Sequence, residues 1–441
     1  MYDVIVFTGA LFVSVITSFY YNDITMTLHK HMYSIAISFS MTFLLYGMSG
    51  ILTVVGPALF TWLLGYFIHT CSLQEHQIKH WINNRKIIYL CIFGWITIFG
   101  HLGYSHIYYM LNSFMNAKND IRTIHMLLVI KLTSFLTDIT YNSYFSNIEC
   151  DKNNETTKNE TMKNEKKQYP DLIEWFGYVF FIPSYFVGPT LQFSEYRLFI
   201  TNVSTHHITN NNDKIRYYVA LLSIKGTVLF VLSLISIMYY SPFYLLTAEF
   251  AAYGLMDKLS VLFLTMTLTR CKFYFAWNLS EIAYIASGAS DFVSHKGRNV
   301  HIMDIELPRN TYKILNSWNM GTNLWLKQYV YRPLIDMGVE TQAICVIMTN
   351  LVSALWHGFY PGYYITFLGG GLCTIIGRFW RRTVTQYIEN RYSEYPIVLS
   401  FYNNTKIFIM LIVMNLISVP FLLYSYENTL TVINNIVVLR K

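Results

Sequence analysis

Residues Ile51 to Thr70 read ILTVVGPALFTWLLGYFIHT and contain no aspartate, glutamate, lysine or arginine. A helix needs about 20 mostly apolar residues to cross a hydrocarbon core roughly 30 Å thick. The stretch has that length, and a soluble fold would have to cover it on every side. It therefore predicts a membrane-spanning helix.

Similar apolar runs recur along the chain. Of its 441 residues, 54% are hydrophobic and 13% are charged, against about 25% charged in an average soluble domain. The first run follows Asp3 rather than a basic region, so we expect a retained helix instead of a cleaved signal peptide. We predict an all-α, polytopic membrane protein with about eleven spans: Val4 to Tyr21, Met32 to Tyr46, Ile51 to Thr70, Ile87 to Leu111, Ile124 to Tyr144, Leu172 to Leu191, Tyr217 to Leu246, Ala251 to Thr269, Ala343 to Trp356, Tyr363 to Ile376 and Ile407 to Tyr424.

The formal net charge of +7 raises the question of a nucleic-acid partner. The basic residues lie in short loops between apolar runs, as Lys79, Arg85 and Lys86 do. Membrane orientation and anionic headgroups account for that placement, so no nucleic-acid partner is predicted. The six cysteines form no Cys-x-x-Cys pair, and the adjacent His206 and His207 lack further ligands at metal spacing. No metal site is predicted.

Three segments depart from the pattern of simple spans. Asp151 to Gln168 carries nearly balanced charges, which predicts a flexible polar loop. Two prolines and a glycine interrupt Leu172 to Leu191, which predicts a broken helix. Arg270 to Arg332 mixes apolar and charged residues, as re-entrant or amphipathic helices do. No linker or internal repeat divides the chain, so residues 1–441 are predicted to form one transmembrane domain.

One histidine stands at the end of an apolar run. His357 lies in SALWHGFYPGYYITF, Ser353 to Phe367. A central charge in a span costs roughly 2.5 to 3.5 kcal/mol on insertion scales, which makes an ionisable residue there a functional candidate. The alternative is a histidine that hydrogen-bonds a carbonyl to support helix packing.

A second motif, SWNMGTNLWLKQYVYRPL, begins at Ser317 and has Asn319 near its start. If this motif has no catalytic role, it is an amphipathic interfacial helix with its basic residues toward lipid headgroups. That interpretation leaves Asn319 unexplained. Its other notable residues are spaced to share or adjoin one helical face: Trp318, Thr322, Trp325 and Tyr329.

Together these motifs resemble the membrane-bound O-acyltransferase family, in its lysophospholipid acyltransferase branch. Trp-His-Gly followed by Pro-Gly-Tyr-Tyr carries most of the likeness. The resemblance runs from about His125 to the last spans. Three upstream stretches also fit: RCKFYFAWNLSEIAYIASG (Arg270 to Gly288), IPSYFVGPTLQFSEY (Ile182 to Tyr196) and, more weakly, HMLLVIKLTSF (His125 to Phe135).

The resemblance implies an endoplasmic reticulum enzyme of phospholipid remodelling that esterifies a lysophospholipid from acyl-CoA within a membrane-embedded chamber. Acyl-CoA would be a co-substrate, no cofactor would be bound, and no oligomeric state is specified. His357 would be the catalytic base and Asn319 an oxyanion or positioning residue, within a catalytic region at 270–376. Further residues are expected to contact substrate: Trp318, Thr322, Trp325, Tyr329, Ser353, Trp356, Lys272, Tyr274, Trp277 and Glu281.

Two of these residues are ambiguous. Lys272 and Glu281 lie in an otherwise apolar helical segment, where Tyr274, Trp277 and Glu281 fall close to one face. A structural or CoA-side role is favoured over catalysis. For the whole chain, the alternatives are sterol, diacylglycerol or protein acylation within the wider family, and a non-enzymatic transporter whose polar residues line a path.

Overall fold

The structure, a computed structural model, describes residues 2–74, 82–112, 120–149, 169–201, 212–290 and 297–437. These residues form helices and connecting turns, with no β-strand among them, so the all-α prediction is confirmed. The predicted loop at 151–168 and the His206–His207 pair lie outside the described residues. Five of the described segments are long and apolar enough to cross a membrane: Thr27–Ser72, Lys86–Asn112, Arg122–Tyr141, Ile215–Leu246 and Pro396–Leu423.

These segments are helical because the interior of a membrane is hydrocarbon. Hydrocarbon offers no hydrogen-bond partners, so a spanning backbone must satisfy its own N–H and C=O groups. Hydroxyl side chains do the same locally: Thr61 Oγ1 donates to the carbonyl of Pro57, one turn earlier, at 2.8 Å. Large apolar side chains such as Leu44 and Leu52 point outward, 81% and 63% exposed. Such surfaces suit a lipid environment.

Two predicted spans belong to one long element. Met32 to Tyr46 and Ile51 to Thr70 both fall within a helix over Thr27–Gln74, which is interrupted at Gly47. Gly47 has φ 66° and ψ −162°, a conformation in which a Cβ would be strained. The predicted break between the two runs is therefore real, and it is a kink rather than a loop.

The chain divides into two compact units, the first formed by Met1–Tyr218 and Ser280–Gly297. Its core includes Phe135 and Trp175, whose ring centroids lie 4.2 Å apart. The indole of Trp175 donates to Ala58 O at 3.0 Å. Its helices are α1 (Tyr2–Asp23), α2 (Thr27–Gln74), α3 (Ile82–Asn112), α4 (Arg122–Glu149), α5 (Leu172–Val179) and α6 (Phe193–Thr201), with a 3-10 turn at Ile182–Ser184.

The break predicted between Leu172 and Leu191 is confirmed. Helix α5 ends at Val179, before Pro183 is reached. Buried Lys131 reaches this end and donates from Nζ to the carbonyls of Tyr178 and Val179, both at 3.0 Å. An amino group that donates at a helix C-terminus satisfies carbonyls that lack a helical partner. The end of the broken helix is thus held by two hydrogen bonds from a lysine side chain of α4.

The second unit, Val219–Leu279 and Arg298–Lys441, carries both active-site motifs. The predicted region 270–376 divides between the units, and the single transmembrane domain stays a prediction. The helices from residue 212 onward are α7 (Asn212–Tyr239), α8 (Ala248–Ala252), α9 (Leu255–Ala286), α10 (Ile302–Glu306), α11 (Thr311–Ser317), α12 (Met320–Leu326), α13 (Arg332–Asp336), α14 (Gln342–His357), α15 (Pro361–Trp380), α16 (Gln386–Arg391), α17 (Pro396–Leu423) and α18 (Tyr426–Val437), with a 3-10 turn at Pro242–Leu246 and π-helical turns at Lys327–Tyr331 and Arg381–Thr385.

An apolar core lies within this second unit. It joins the 3-10 turn at Pro242–Leu246 to α8, α9, α17 and α18. One of these elements, α17, also reaches His357 through Phe421. The core consists of Leu245, Phe250, Leu262, Met266, Val419, Leu423, Val432 and Ile436.

Candidate active site

His357 is the last residue of α14, and the backbone turns sharply after it. Gly358 has φ 124°, a conformation that L side chains rarely adopt, and its N–H donates to Ala354 O at 3.0 Å. Pro361 then begins α15 with its φ already suited to the first helical turn. Glycine and proline in this motif thus set the turn that presents the imidazole.

Gly362 allows two helices to approach each other closely. Its N–H donates to Tyr424 O at 2.8 Å. A Cβ at this position would overlap the carbonyl of Pro420 in α17. The absence of a side chain therefore brings α17 against the start of α15, where Phe421 reaches His357.

Four aromatic rings surround the partly exposed imidazole of His357. Phe367 stacks on it with centroids 4.8 Å apart and planes at 20°, and Phe421 lies at 5.0 Å with its plane at 87° to the imidazole. Trp356 and Tyr363 lie at 4.7 and 5.7 Å. These ring contacts help to orient the imidazole and shield part of it from water.

Asn319 adopts a left-handed backbone, φ 45° and ψ 56°, between α11 and α12. Asparagine tolerates this region better than most residues, but it remains uncommon outside glycine. The predicted common helical face is wrong for Trp318, because the turn at Asn319 separates it from the helix that carries Thr322 and Trp325.

Polar neighbours hold the side chain of Asn319. Asn299 Nδ2 donates to Asn319 Oδ1 at 3.1 Å, and Thr322 Oγ1 donates to the same oxygen at 3.0 Å. Asn299 is 1% exposed and Thr322 6%, so these bonds are shielded from water. Both lone pairs of the Asn319 oxygen are thereby used.

Trp318 packs against the motif on α9. Its ring lies 4.9 Å from that of Trp277 and 5.9 Å from that of Tyr274, both edge-on. Tyr274 donates its hydroxyl to Glu306 Oε1 at 2.7 Å, and Arg270 Nε donates to the same atom at 2.7 Å. The structure thus brings three of the predicted site residues together and ties them to a partly buried ion pair between Arg270 and Glu306.

An exposed ion pair lies just before Asn319 in the chain. Lys313 Nζ donates to Asp304 Oδ1 at 3.0 Å, and this bond holds the pKa of Asp304 below its usual value. Ser317 Oγ also donates to Asp304, at 3.4 Å. The pair joins α10 to α11.

The two motifs meet through a pair of tryptophans. Trp325 on α12 and Trp356 on α14 have ring centroids 6.2 Å apart, and both are buried. Directly after α12, Lys327–Tyr331 forms a π-helical turn that contains the buried Tyr329. Such turns occur frequently at functional sites. The two tryptophans thus bring the segments carrying Asn319 and His357 into contact. Nothing in the residue pattern predicts the π-helical turn that follows α12.

The remaining predicted residues have different surroundings. Ser353 is buried within α14. Lys272 is exposed, with its ammonium 4.9 Å from the ring of Phe273. Glu281 lies in the first unit, where Tyr218 donates to it at 3.1 Å. Glu281 therefore belongs to a different unit from the other predicted site residues.

Sequence reasoning did not include four residues that contact the predicted catalytic pair: Asn299, Tyr363, Phe367 and Phe421. Asn299 belongs to no recognisable motif. Phe367 and Phe421 lie in apolar runs, where nothing in the sequence distinguishes one phenylalanine from another. Only the three-dimensional contacts distinguish them. Within the described ranges, no group of three or more histidine, cysteine, aspartate or glutamate residues is arranged to hold a metal ion.

Comparison with known sequences agrees with this geometry. The family model of the MBOAT, membrane-bound O-acyltransferase family matches residues 68–419, which include both motifs. The chain belongs to this family. Membership confirms the sequence-based resemblance, and with the apolar helices it identifies an integral membrane protein.

Several curated relatives of this family member are named lysophospholipid acyltransferases. A lysophospholipid acyltransferase of Schizosaccharomyces pombe is 28% identical over 79% of this chain, and one of Saccharomyces cerevisiae is 27% identical over 66%. Lysophospholipid acyltransferase 1 of Arabidopsis thaliana is 26% identical over 92% of the chain. The chain spans 65% and 50% of the lengths of the two yeast proteins and 84% of the Arabidopsis protein.

Proposed function

We propose that this chain transfers an acyl group from acyl-CoA to the free hydroxyl of a lysophospholipid, yielding a diacyl phospholipid and CoA. The observation that carries the proposal is the pairing of His357, among aromatic rings, with Asn319, whose amide oxygen is already occupied, on segments joined by Trp325 and Trp356. Family membership and the names of the relatives support the same reaction.

The reaction needs a base and a hydrogen-bond donor. An imidazole nitrogen of His357 removes the proton of the acceptor hydroxyl as its oxygen attacks the thioester carbonyl. The resulting oxyanion accepts a hydrogen bond from Asn319 Nδ2. When the intermediate collapses, the carbon–sulfur bond breaks and the CoA thiolate takes the proton from the imidazolium.

The endoplasmic reticulum is the proposed location of this enzyme.

Transfer is proposed to be direct, without an acyl-enzyme. The cysteine and the serine on α14 are poorly placed for nucleophilic attack: Cys345 is 0% exposed with its thiol 3.9 Å from Val339 O, and Ser353 is 4% exposed. A thioester is already activated, so orienting both substrates in a water-poor site supplies much of the acceleration.

The test uses purified protein in nanodiscs, labelled acyl-CoA and a panel of acceptors, with products resolved by mass. Lysophospholipids should give diacyl phospholipids, and sterol, diacylglycerol and a peptide acceptor should give no product. Double-reciprocal plots should intersect, and protein treated with acyl-CoA alone should carry no label. Selective acylation of another acceptor would replace the proposed substrate, and parallel plots with a labelled Ser353 or Cys345 peptide would replace direct transfer.

A further inference from the structure

Helix α12 begins in an unusual way. A residue at the N-cap position commonly uses its own side-chain oxygen to accept a backbone N–H from the first turn. Asn319 occupies this position, and its carbonyl accepts from Asn323 N at 3.0 Å. Its side chain makes no capping bond. Another residue must therefore cap the helix.

Asn299, twenty positions earlier, supplies both caps. Its carbonyl oxygen accepts from Met320 N at 3.0 Å, and its Oδ1 accepts from Gly321 N at 2.8 Å. These are the first two N–H groups of the helix, which have no partner within it. Because Asn299 satisfies both, the side chain of Asn319 is released from the role that asparagine commonly has at a helix start.

The same contacts determine which way each amide faces. A backbone N–H can only donate, so the oxygen of Asn299 must face Gly321 and its NH₂ must face Asn319. The atom of Asn319 that meets this NH₂ must then be the oxygen. Thr322 Oγ1 donates to that oxygen as well. The orientation of Asn319 thus follows from a backbone group that cannot reverse its polarity.

The NH₂ of Asn319 is left available for substrate. Among the residues that the structure describes, Asn319 Nδ2 has no hydrogen-bond partner, and its side chain is partly exposed. We infer that Asn299 is a positioning residue for acyl transfer, which acts by holding the Asn319 amide with its donor toward the reacting carbonyl, and that Thr322 assists it. The inference rests on the proposed function.

Asn299→Asp tests this directly. An ionised carboxylate still accepts from Gly321 N, but it has no donor for Asn319 and favours a flipped amide whose NH₂ is withdrawn from substrate. At high pH we expect Asn299→Asp to lower kcat by at least about tenfold. The upper limit is the loss of about 10²- to 10³-fold that is expected for Asn319→Ala. Asn316→Asp is the matched control, since Asn316 likewise accepts through Oδ1 and donates through Nδ2, to residues other than Asn319.

The pH profile separates positioning from a structural effect. The introduced carboxyl is buried, which raises its pKa, and once protonated it donates to Asn319 and restores the original orientation. The ratio of the Asn299→Asp kcat to the wild-type kcat should therefore rise as the pH is lowered from about 9 to about 6. Each measurement uses monodisperse protein, so that a smaller folded fraction does not lower kcat.

A double-mutant comparison identifies the residue through which Asn299 acts. In an Asn319→Ala background, Asn299→Asp should change kcat less than about twofold, because the amide it orients is gone. If Asn299→Asp fails to fold, Thr322→Val and Thr322→Ser provide the test. Thr322→Val, which loses the hydroxyl, should lower kcat about three- to tenfold, whereas Thr322→Ser should keep most of the wild-type kcat. In the Asn319→Ala background, neither substitution at Thr322 should change kcat.

The outcomes distinguish this inference from the proposed function. Wild-type kcat in Asn299→Asp at every pH, or an equal loss in the Asn319→Ala background, would overturn the role of Asn299 while acyl transfer stands. Equal losses in Thr322→Val with and without Asn319 would do the same. Full activity in Asn319→Ala would remove both the role of Asn319 and the positioning that depends on it.

Discussion

The two predicted catalytic side chains are positioned by different kinds of contact. Aromatic rings surround His357, whereas Asn319 is fixed by directed hydrogen bonds from Asn299 and Thr322. A base must gain and lose a proton, and a stacked ring such as that of Phe367 tolerates both the neutral and the cationic imidazole. An amide donor does not titrate and is useful only in one orientation. The contacts around each residue thus match what its chemistry requires.

The largest expected effect is on the base. His357→Ala should lower kcat about 10²- to 10⁴-fold, because the variant lacks the imidazole that takes up the hydroxyl proton. The measurement is product formation by folded protein in nanodiscs, with the exposed His29→Ala as control. His357→Gln, polar but unable to act as a base at neutral pH, should be equally inactive. Near-normal turnover in either variant would remove His357 from the mechanism.

Removing the directed donor should cost less. Asn319→Ala should lower kcat about 10²- to 10³-fold, with the KM for acyl-CoA little changed, because the bond forms mainly in the transition state. Asn319→Asp sharpens the comparison, since a carboxylate keeps both accepted hydrogen bonds and lacks only the donor. A change confined to KM in either variant would instead assign Asn319 to ground-state binding.

The aromatic surroundings can be disturbed from the backbone. Gly362→Ala places a Cβ against the Pro420 carbonyl and should destabilise the protein by about 1 to 3 kcal/mol while lowering activity, as α17 and Phe421 shift. Gly370 on the same helix has nothing within 4 Å of the position that a methyl group would take, so Gly370→Ala should be neutral or stabilising by up to about 1 kcal/mol. Thermal unfolding and turnover measure both. Equal behaviour of the two variants would contradict the close approach at Gly362.

The smallest effect is expected at the exposed ion pair beside Asn319. Lys313→Gln should cost at most about 1 kcal/mol and leave kcat within about twofold. The pKa of Asp304 is lowered in the folded protein, so the stability it adds is present at neutral pH and is lost as pH falls through that pKa. The difference in thermal midpoint between wild type and Lys313→Gln should therefore shrink on acidification. A constant difference would mean that Lys313 stabilises without Asp304.

Sequence predicted the helical class well because an apolar run in a membrane has few alternatives to a helix. It located His357 and Asn319 through motifs, and their catalytic roles stay predictions. It failed where a backbone conformation decided the outcome: periodicity placed Trp318 on the face of Trp325, and the left-handed turn at Asn319 separates them. Asn299 was missed because its two caps depend on a chain segment twenty residues away.

The π-helical turn at Lys327–Tyr331 is a place where the chain length can change by one residue at little cost to the contact between the motifs. A π turn contains one residue more than the regular helix around it. Deleting that residue would close the turn into α-helix, and the residues on either side would keep the faces that they present. The same deletion in a regular part of the helix would rotate everything that follows by about 100°. Homologous chains should therefore tolerate a one-residue gap in this turn better than one within α12, and such a gap in an alignment would mark a member in which the turn is regular α-helix.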